Sequence, residues 1–152
     1  MRFWRICRRR YAATAASGEG ARLYGGRWNS HGVRVVYASS SLALAAVEMF
    51  VNVDPNLQPS DLVAIQGEVP ESVEIAKLDP RSLPPNWFSV RDESLRRFGD
   101  EWVKSRQAVG LLVPSAAIRG DWNLLLNPEH SDFAKVRLED PRPFEFDIRM
   151  FR

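Results

Sequence analysis

The sequence predicts an α+β fold with more strand than helix, and three observations carry that prediction. Short runs of β-branched and aliphatic residues recur along the chain, proline, glycine and asparagine turn signals separate them, and only two stretches have helical spacing. The chain has 152 residues, 45% apolar and 26% charged, enough for one domain spanning 1–152 with a sizeable core. Internal repeats, low-complexity tracts and shifts of composition are absent, so no domain boundary is expected.

Residues 3–7 alternate as an opening strand, with Phe3 and Arg5 on one face and Trp4 and Ile6 on the other. Residues 12–20 are small and turn-rich and read as a loop leading to Gly25-Gly26, where positive backbone angles or close approach of the main chain produce a sharp bend before Arg27. Residues 33–38 are rich in valine and predict a buried strand. Three serines, 39 to 41, then offer an N-cap to a helix over 42–53 that Asp54-Pro55 stops. Strands follow over 62–69 and 73–78 around a Pro70-Glu71-Ser72 turn, and a proline-rich connector runs through 83–86. Residues 92–107 form the clearest amphipathic helix, Leu95, Phe98, Trp102 and Val103 facing inward and Arg96, Arg97, Asp100 and Lys104 outward. Strands over 109–113, 123–126, 136–138 and 144–148 complete the chain, with a turn at Asn127-Pro128-Glu129-His130.

Bulk properties exclude several classes. The longest apolar run, 42–47, cannot span a bilayer, and the arginine-rich opening lacks the apolar segment of a signal peptide, so a cytoplasmic location without membrane contact is expected. A single cysteine, Cys7, permits no internal disulfide and no cysteine-based zinc site, and reads as a small core residue. Net charge is only +2, with Arg2, Arg5, Arg8, Arg9 and Arg10 crowded at the start. That cluster fits a solvated, partly paired strand end, or contact with an acidic partner or nucleic acid.

The most unusual side chain is Glu48. It is the only acidic residue between Glu19 and Asp54, and Leu44, Ala45, Val51 and Asn52 share its helical face. A carboxylate so placed is buried or half-buried and needs a cation or hydrogen-bond donors. Arg27 is one candidate partner, either as a buried ion pair or as a separate ligand-binding group.

Taken together, Trp4-Arg5-Ile6, Gly26-Arg27-Trp28-Asn29, Val35-Val36-Tyr37-Ala38-Ser39, Glu48, Val113-Pro114-Ser115 and Leu126-Asn127-Pro128-Glu129-His130 resemble the RES-domain family, the toxins of bacterial RES–Xre toxin–antitoxin pairs. The resemblance covers nearly the whole chain, departing at Ser131, where the family often has proline. It implies an ADP-ribosyltransferase-like mixed sheet with flanking helices. It further implies NAD as a substrate cleaved between nicotinamide and ribose, with no cofactor or metal beyond that substrate, and an Xre-type antitoxin as partner. The acceptor of the ADP-ribose stays open between water, phosphate and a protein, and a homo-oligomer stays open as well.

Under that resemblance Glu48 stabilises an oxocarbenium-like ribose or holds its hydroxyl, Arg27 grips the pyrophosphate and Tyr37 stacks on nicotinamide. Trp28 is a pocket wall or packing, and Ser115 binds substrate or orients Glu48. Ser115 is not expected to be a nucleophile, because no base neighbours it in sequence and the serine-hydrolase elbow is missing. Asn123 and Asn127 pin loops first and touch ligand second, Asn127 being the one retained as substrate-binding. The competing class is a nucleic-acid-binding or RNA-cleaving toxin using the arginine cluster and the two histidines, His31 and His130. It leaves Glu48 unexplained, and His31 reads as exposed and His130 as a loop organiser.

Overall fold

The computed structural model describes residues 1–89 and 92–152. The strands are β1 (Arg2–Arg8), β2 (Val36–Ser39), β3 (Leu62–Glu68), β4 (Ile75–Lys77), β5 (Gly110–Pro114), β6 (Trp122–Leu126), β7 (Arg137–Leu138) and β8 (Arg142–Phe144). The α-helices are α1 (Glu19–Tyr24), α2 (Leu42–Phe50) and α3 (Glu93–Ser105). The strands form one sheet in the order β4-β5-β6-β2-β1-β3-β7, with β8 also on β3. All pairings are antiparallel except β4 with β5, so the expected mixed sheet with flanking helices is what is found. Among the described residues no helix is long and apolar enough to cross a membrane.

Alternation along the strands divides the core. Phe3, Val36, Ala38, Leu124 and Leu126 pack on one face with Val69 and Val109. Val35, Tyr37, Leu111, Val113 and Leu125 turn to the other, under Leu95 and Trp102 of α3 and beside Trp28. The apolar side of α2 joins Ile6, Leu62, Ala64 and Phe146 in a third cluster. Cys7 is buried beside Val63 and Ile65, as its small apolar character suggested.

Helix termini follow their expected chemistry. The Ser41 hydroxyl accepts from Leu44 N at 3.1 Å, and the Asp92 carboxylate accepts from Ser94 N at 3.0 Å, so each satisfies an N-terminal amide of its helix. Arg106 ends α3 in the left-handed region, φ 53°.

Five boundaries differ from expectation. Residues 12–20 are not one open loop, because a 3₁₀ turn (Arg9–Thr14) and then α1 fold there, with Ala15 packed into the core. The β2 strand begins at Val36 rather than 33, since the carbonyl of Val33 is taken by the Asn29 amide at 3.1 Å instead of a ladder partner. Helix α2 stops at Phe50, where Asn52 N and Val53 N tighten onto Met49 O and Phe50 O. The strand expected over 73–78 is reduced to Ile75–Lys77. At the end, 144–148 is not a strand. Phe144, Phe146 and Phe151 converge edge-to-face near Phe50, which turns the chain into a 3₁₀ helix (Ile148–Phe151) and leaves Ile148 71% exposed.

One face of α3 was also misassigned. Asp100 accepts hydrogen bonds from Ser30 N at 2.9 Å and Ser30 Oγ at 2.6 Å, so it holds the 25–30 loop rather than facing solvent. The preceding residue, Gly99, lies so close to that loop that an added Cβ would stand 1.8 Å from the Trp28 carbonyl oxygen. Since backbone cannot yield as a side-chain tip can, Gly99→Ala is expected to destabilise the fold by about 1–3 kcal/mol. Urea unfolding measures it, and an unchanged midpoint contradicts the close approach.

Candidate active site

Strands β1 and β2 share one registered pair, Trp4 opposite Ser39, whereas β1 keeps register with β3 from Arg2 to Arg8. Beyond Trp4 the first two strands part. The carbonyl of Tyr37 is met from the β1 side by the Arg5 guanidinium, Nη1 donating at 2.7 Å. A cleft of about 670 Å³ lies at this parting, with Arg5, Arg27, Tyr37, Glu48 and Asn123 among its lining residues. That is within the ~300–1,000 Å³ typical of small-molecule and cofactor sites.

Glu48 reaches the cleft from the last turn of α2 and is half-buried. Two neutral donors hold the same carboxylate oxygen: Ser115 Oγ donates to Oε1 at 2.7 Å and Asn123 Nδ2 at 2.6 Å. Ser115, wholly buried at the end of β5, also accepts from Ile118 N at 3.0 Å, so its hydroxyl proton is directed to Glu48. Asn123 lies opposite Ser39 in the β2–β6 ladder, and the Ser39 hydroxyl donates to Asn123 Oδ1 at 2.8 Å. That bond fixes the amide so that its NH₂ faces the carboxylate. The chain Ser39, Asn123, Glu48, Ser115 therefore orients one oxygen of the carboxylate. Among the described residues no ion pair involves Glu48, so the expected alternative of a direct Arg27–Glu48 pair is not formed.

Arg27 lines the same cleft and donates from Nη1 to the Trp87 carbonyl at 3.0 Å. Its loop is held from below by Tyr37, whose hydroxyl donates to Asn29 Oδ1 at 2.6 Å and accepts from Trp28 N at 3.1 Å. Gly26 is required there, because a Cβ would stand 2.6 Å from that hydroxyl. The buried Asn29 amide in turn donates to Ala21, Ser30 and Val33 carbonyls. The polar end of Tyr37 is thus structural, and its ring is what borders the cleft. Trp28 is 2% exposed and stacks obliquely on Trp87 with centroids 5.8 Å apart, which makes it packing at the edge of the wall.

Arg5, read from sequence as one member of a charged strand end, is a cleft residue. It is half-buried, its Nε lacks a hydrogen-bond partner, and burial pulls its guanidinium below the ordinary value, with Cys7 opposing that effect. Burial in turn pushes the Cys7 thiol up. Two of the other clustered arginines are engaged separately: Arg9 pairs with Asp61 at 3.0 Å and Arg10 lies over the Tyr11 ring.

One expected site residue lies elsewhere. Asn127 is 1% exposed, donates to the Val103 carbonyl and accepts from Glu129 N at 3.0 Å, so it pins its turn and does not line the cleft. His130 accepts from Asp132 N at Nδ1 and contacts the Arg106 carbonyl through Nε2 at 2.9 Å, a loop-organising role. His31 is exposed. No group of three or more histidine, cysteine or acidic residues suited to a metal occurs among the described residues. Asn123, read from sequence as a loop residue first and a ligand contact second, and Ser39, read as one of three possible helix caps, instead hold Glu48, a role that comes from cross-strand register and that no local pattern encodes.

Comparison with known proteins adds to this geometry. The RES domain family model matches residues 2–147. A protein named Toxin Res from Yersinia enterocolitica serotype O:8 is 38% identical over 152 residues, 99% of each chain. The Prs ADP-ribosylating toxin of Sphingobium sp. strain YBL2 is 38% identical over 157 residues, covering 99% of this chain and 96% of its own. A chain in the crystal structure of the M. tuberculosis MbcT–MbcA toxin–antitoxin complex superposes with a TM-score of 0.72 at 18% identity, over 95% of this chain and 84% of that one, a likeness of fold.

At the far side of the cleft Glu19 of α1 pairs with Arg22 at 2.5 Å and Arg34 at 2.6 Å, and the Arg22 hydrogen bond above all holds its pKa down at about 2. An unfolded glutamate titrates near ~4.3. A depressed folded value means stability present above that unfolded value and lost as pH falls toward about 2. Between pH 4.5 and 2.5 the melting temperature of Glu19→Gln is therefore expected to fall less than that of the parent. Parallel curves in a thermal titration would show that the ion pairs do not contribute.

Proposed function

The chain belongs to the RES domain family, and from that membership and the cleft geometry we propose that it is the toxin of a toxin–antitoxin pair, an enzyme that cleaves NAD between nicotinamide and ribose. The observation that carries the reading is Glu48: a half-buried carboxylate oriented by two neutral donors on Oε1 and neutralised by no ion pair among the described residues. Its negative charge is available to a cation that forms only during reaction. Were the group a structural ion pair, a cation would stand where the donors do.

In the proposed reaction the C1′–N bond breaks with its electron pair going to nicotinamide, which leaves neutral, while positive charge spreads over the ribose ring. Oε2 of Glu48, the oxygen not engaged by Ser115 or Asn123, accepts from a ribose hydroxyl and faces the developing charge. Arg27 and Arg5, which both line the cleft, take the pyrophosphate. The Tyr37 ring offers a flat face to nicotinamide. Ser115 positions Glu48 and is not a nucleophile. The acceptor, whether water, phosphate or a protein side chain, adds to C1′ and gives up a proton. The relative named as an ADP-ribosylating toxin supports a protein acceptor as one of these outcomes. The matched toxin–antitoxin complex supports an antitoxin partner, of the Xre type implied by the resemblance. The reading requires no metal and no cofactor other than NAD as substrate.

Incubation with NAD and measurement of free nicotinamide tests the assignment, with mass spectrometry of products in the presence and absence of phosphate and cell extract identifying the acceptor. Glu48→Gln is expected to lower kcat at least ~10²-fold. Ser115→Ala and Asn123→Ala are each expected to lower it about tenfold with little change in KM, since each removes one orienting hydrogen bond. A Glu48→Gln protein that turns over NAD like the parent sinks the reading.

A further inference from the structure

The cleft has a direction. Helix α1 is tied to the start of β2, Arg34 pairing with Glu19 and donating to the Ser17 carbonyl at 3.3 Å. The Glu48 assembly is tied to the other end of β2 through Ser39 and Asn123. From Val35 to Ser39 is four residues, ~13 Å at ~3.3 Å per residue of extended chain. Tyr37 and the Arg5 bond to its carbonyl fall between. The cleft therefore carries the Glu48 carboxylate at one end, the Arg5 guanidinium in the middle and α1 at the far end.

What α1 presents there is Tyr24, 78% exposed yet lining the cleft, next to a floor of Gly18, Gly20 and Ala21 that sends little side chain into the space. Exposed large apolar residues elsewhere need no explanation singly. Its neighbour Leu23 and the exposed Tyr11 do not line the cleft, whereas the Tyr24 ring does and has no ring partner among the described residues. A flat, unpaired aromatic beside a floor of small residues is suited to stack on a planar base. We propose that the α1 end of the cleft is a purine subsite in which Tyr24 stacks on the adenine of the dinucleotide. The inference rests on the NAD reading, because the position of the reactive end sets the direction in which the substrate lies.

The test compares NAD with nicotinamide mononucleotide, which has the same scissile bond and no adenosine. Tyr24→Ala is expected to raise KM for NAD roughly tenfold, the scale of one base–aromatic stack, with kcat unchanged. KM for the mononucleotide is expected to stay at the parent value, and Tyr24→Phe to behave as the parent with both substrates. Equal effects on the two substrates, or none on either, overturn the subsite. If the parent releases nicotinamide from neither compound, the NAD reading itself fails, and calorimetric binding of ADP to parent and Tyr24→Ala then decides the subsite alone. Weaker binding to the variant supports it, and equal binding or none to the parent overturns it. The exposure of Tyr24 keeps the fold out of the comparison.

Discussion

The parting of β1 from β2 is the constraint on which the rest of the site depends. Two neighbouring strands in the middle of a sheet ordinarily satisfy each other along their length, and here they do so at Trp4 and Ser39 alone. The Arg5 guanidinium, bonded to the Tyr37 carbonyl across the gap, places a cation inside the sheet where an amide would otherwise point. An opening so made has main chain on both walls and needs no long loop to form it. It also fixes the positions of Tyr37 and Ser39, and through them the 25–30 loop on one side and the Glu48 assembly on the other.

Glu48 shows how a half-buried carboxylate is held by hydrogen-bond donors and by no ion pair among the described residues. In the proposed reaction a cationic partner there would oppose the positive charge that develops on the ribose, whereas hydroxyl and amide donors compensate desolvation without adding a cation. Asn123 lies within β6 and Ser115 directly follows β5, its backbone N donating to the Asp121 carbonyl at 2.9 Å, so the pairing of those two strands sets the spacing of the donors. A site mounted on paired strands holds its geometry more tightly than one mounted on loops.

Much of this was legible from local pattern. The apolar helical face around Glu48 announced a carboxylate in need of donors, the serines at 39 to 41 announced the start of α2, and the alternation at Phe3 to Ile6 placed the faces of β1 correctly. What was not legible depends on partners remote in sequence. Asn123 is 75 residues from Glu48, and its role follows from standing opposite Ser39. Arg5 looked like one of five crowded arginines because Arg2, Arg8, Arg9 and Arg10 lie close to it along the chain, while its environment in the fold is made with β2. Asp100 has the periodicity of a solvent-facing helix residue, and only the closeness of Gly99 to Trp28 brings the 25–30 loop within its reach. Asn127 shows the converse: a short polar residue in a matched motif whose side chain is wholly occupied by backbone.

The two short strands on β3 bear on how this chain avoids its own kind. A sheet that ended at β3 would present seven residues of open ladder, a template on which another extended chain could add. Instead β8 covers Leu62 to Ala64 and β7 covers Gly67 and Glu68, the outer strands being two and three residues long, with Pro143 in one and arginine in both. The opposite edge, β4, is three residues long. Strand addition thus finds little purchase at either margin, and a newly made chain is protected from edge-to-edge aggregation by its own ends.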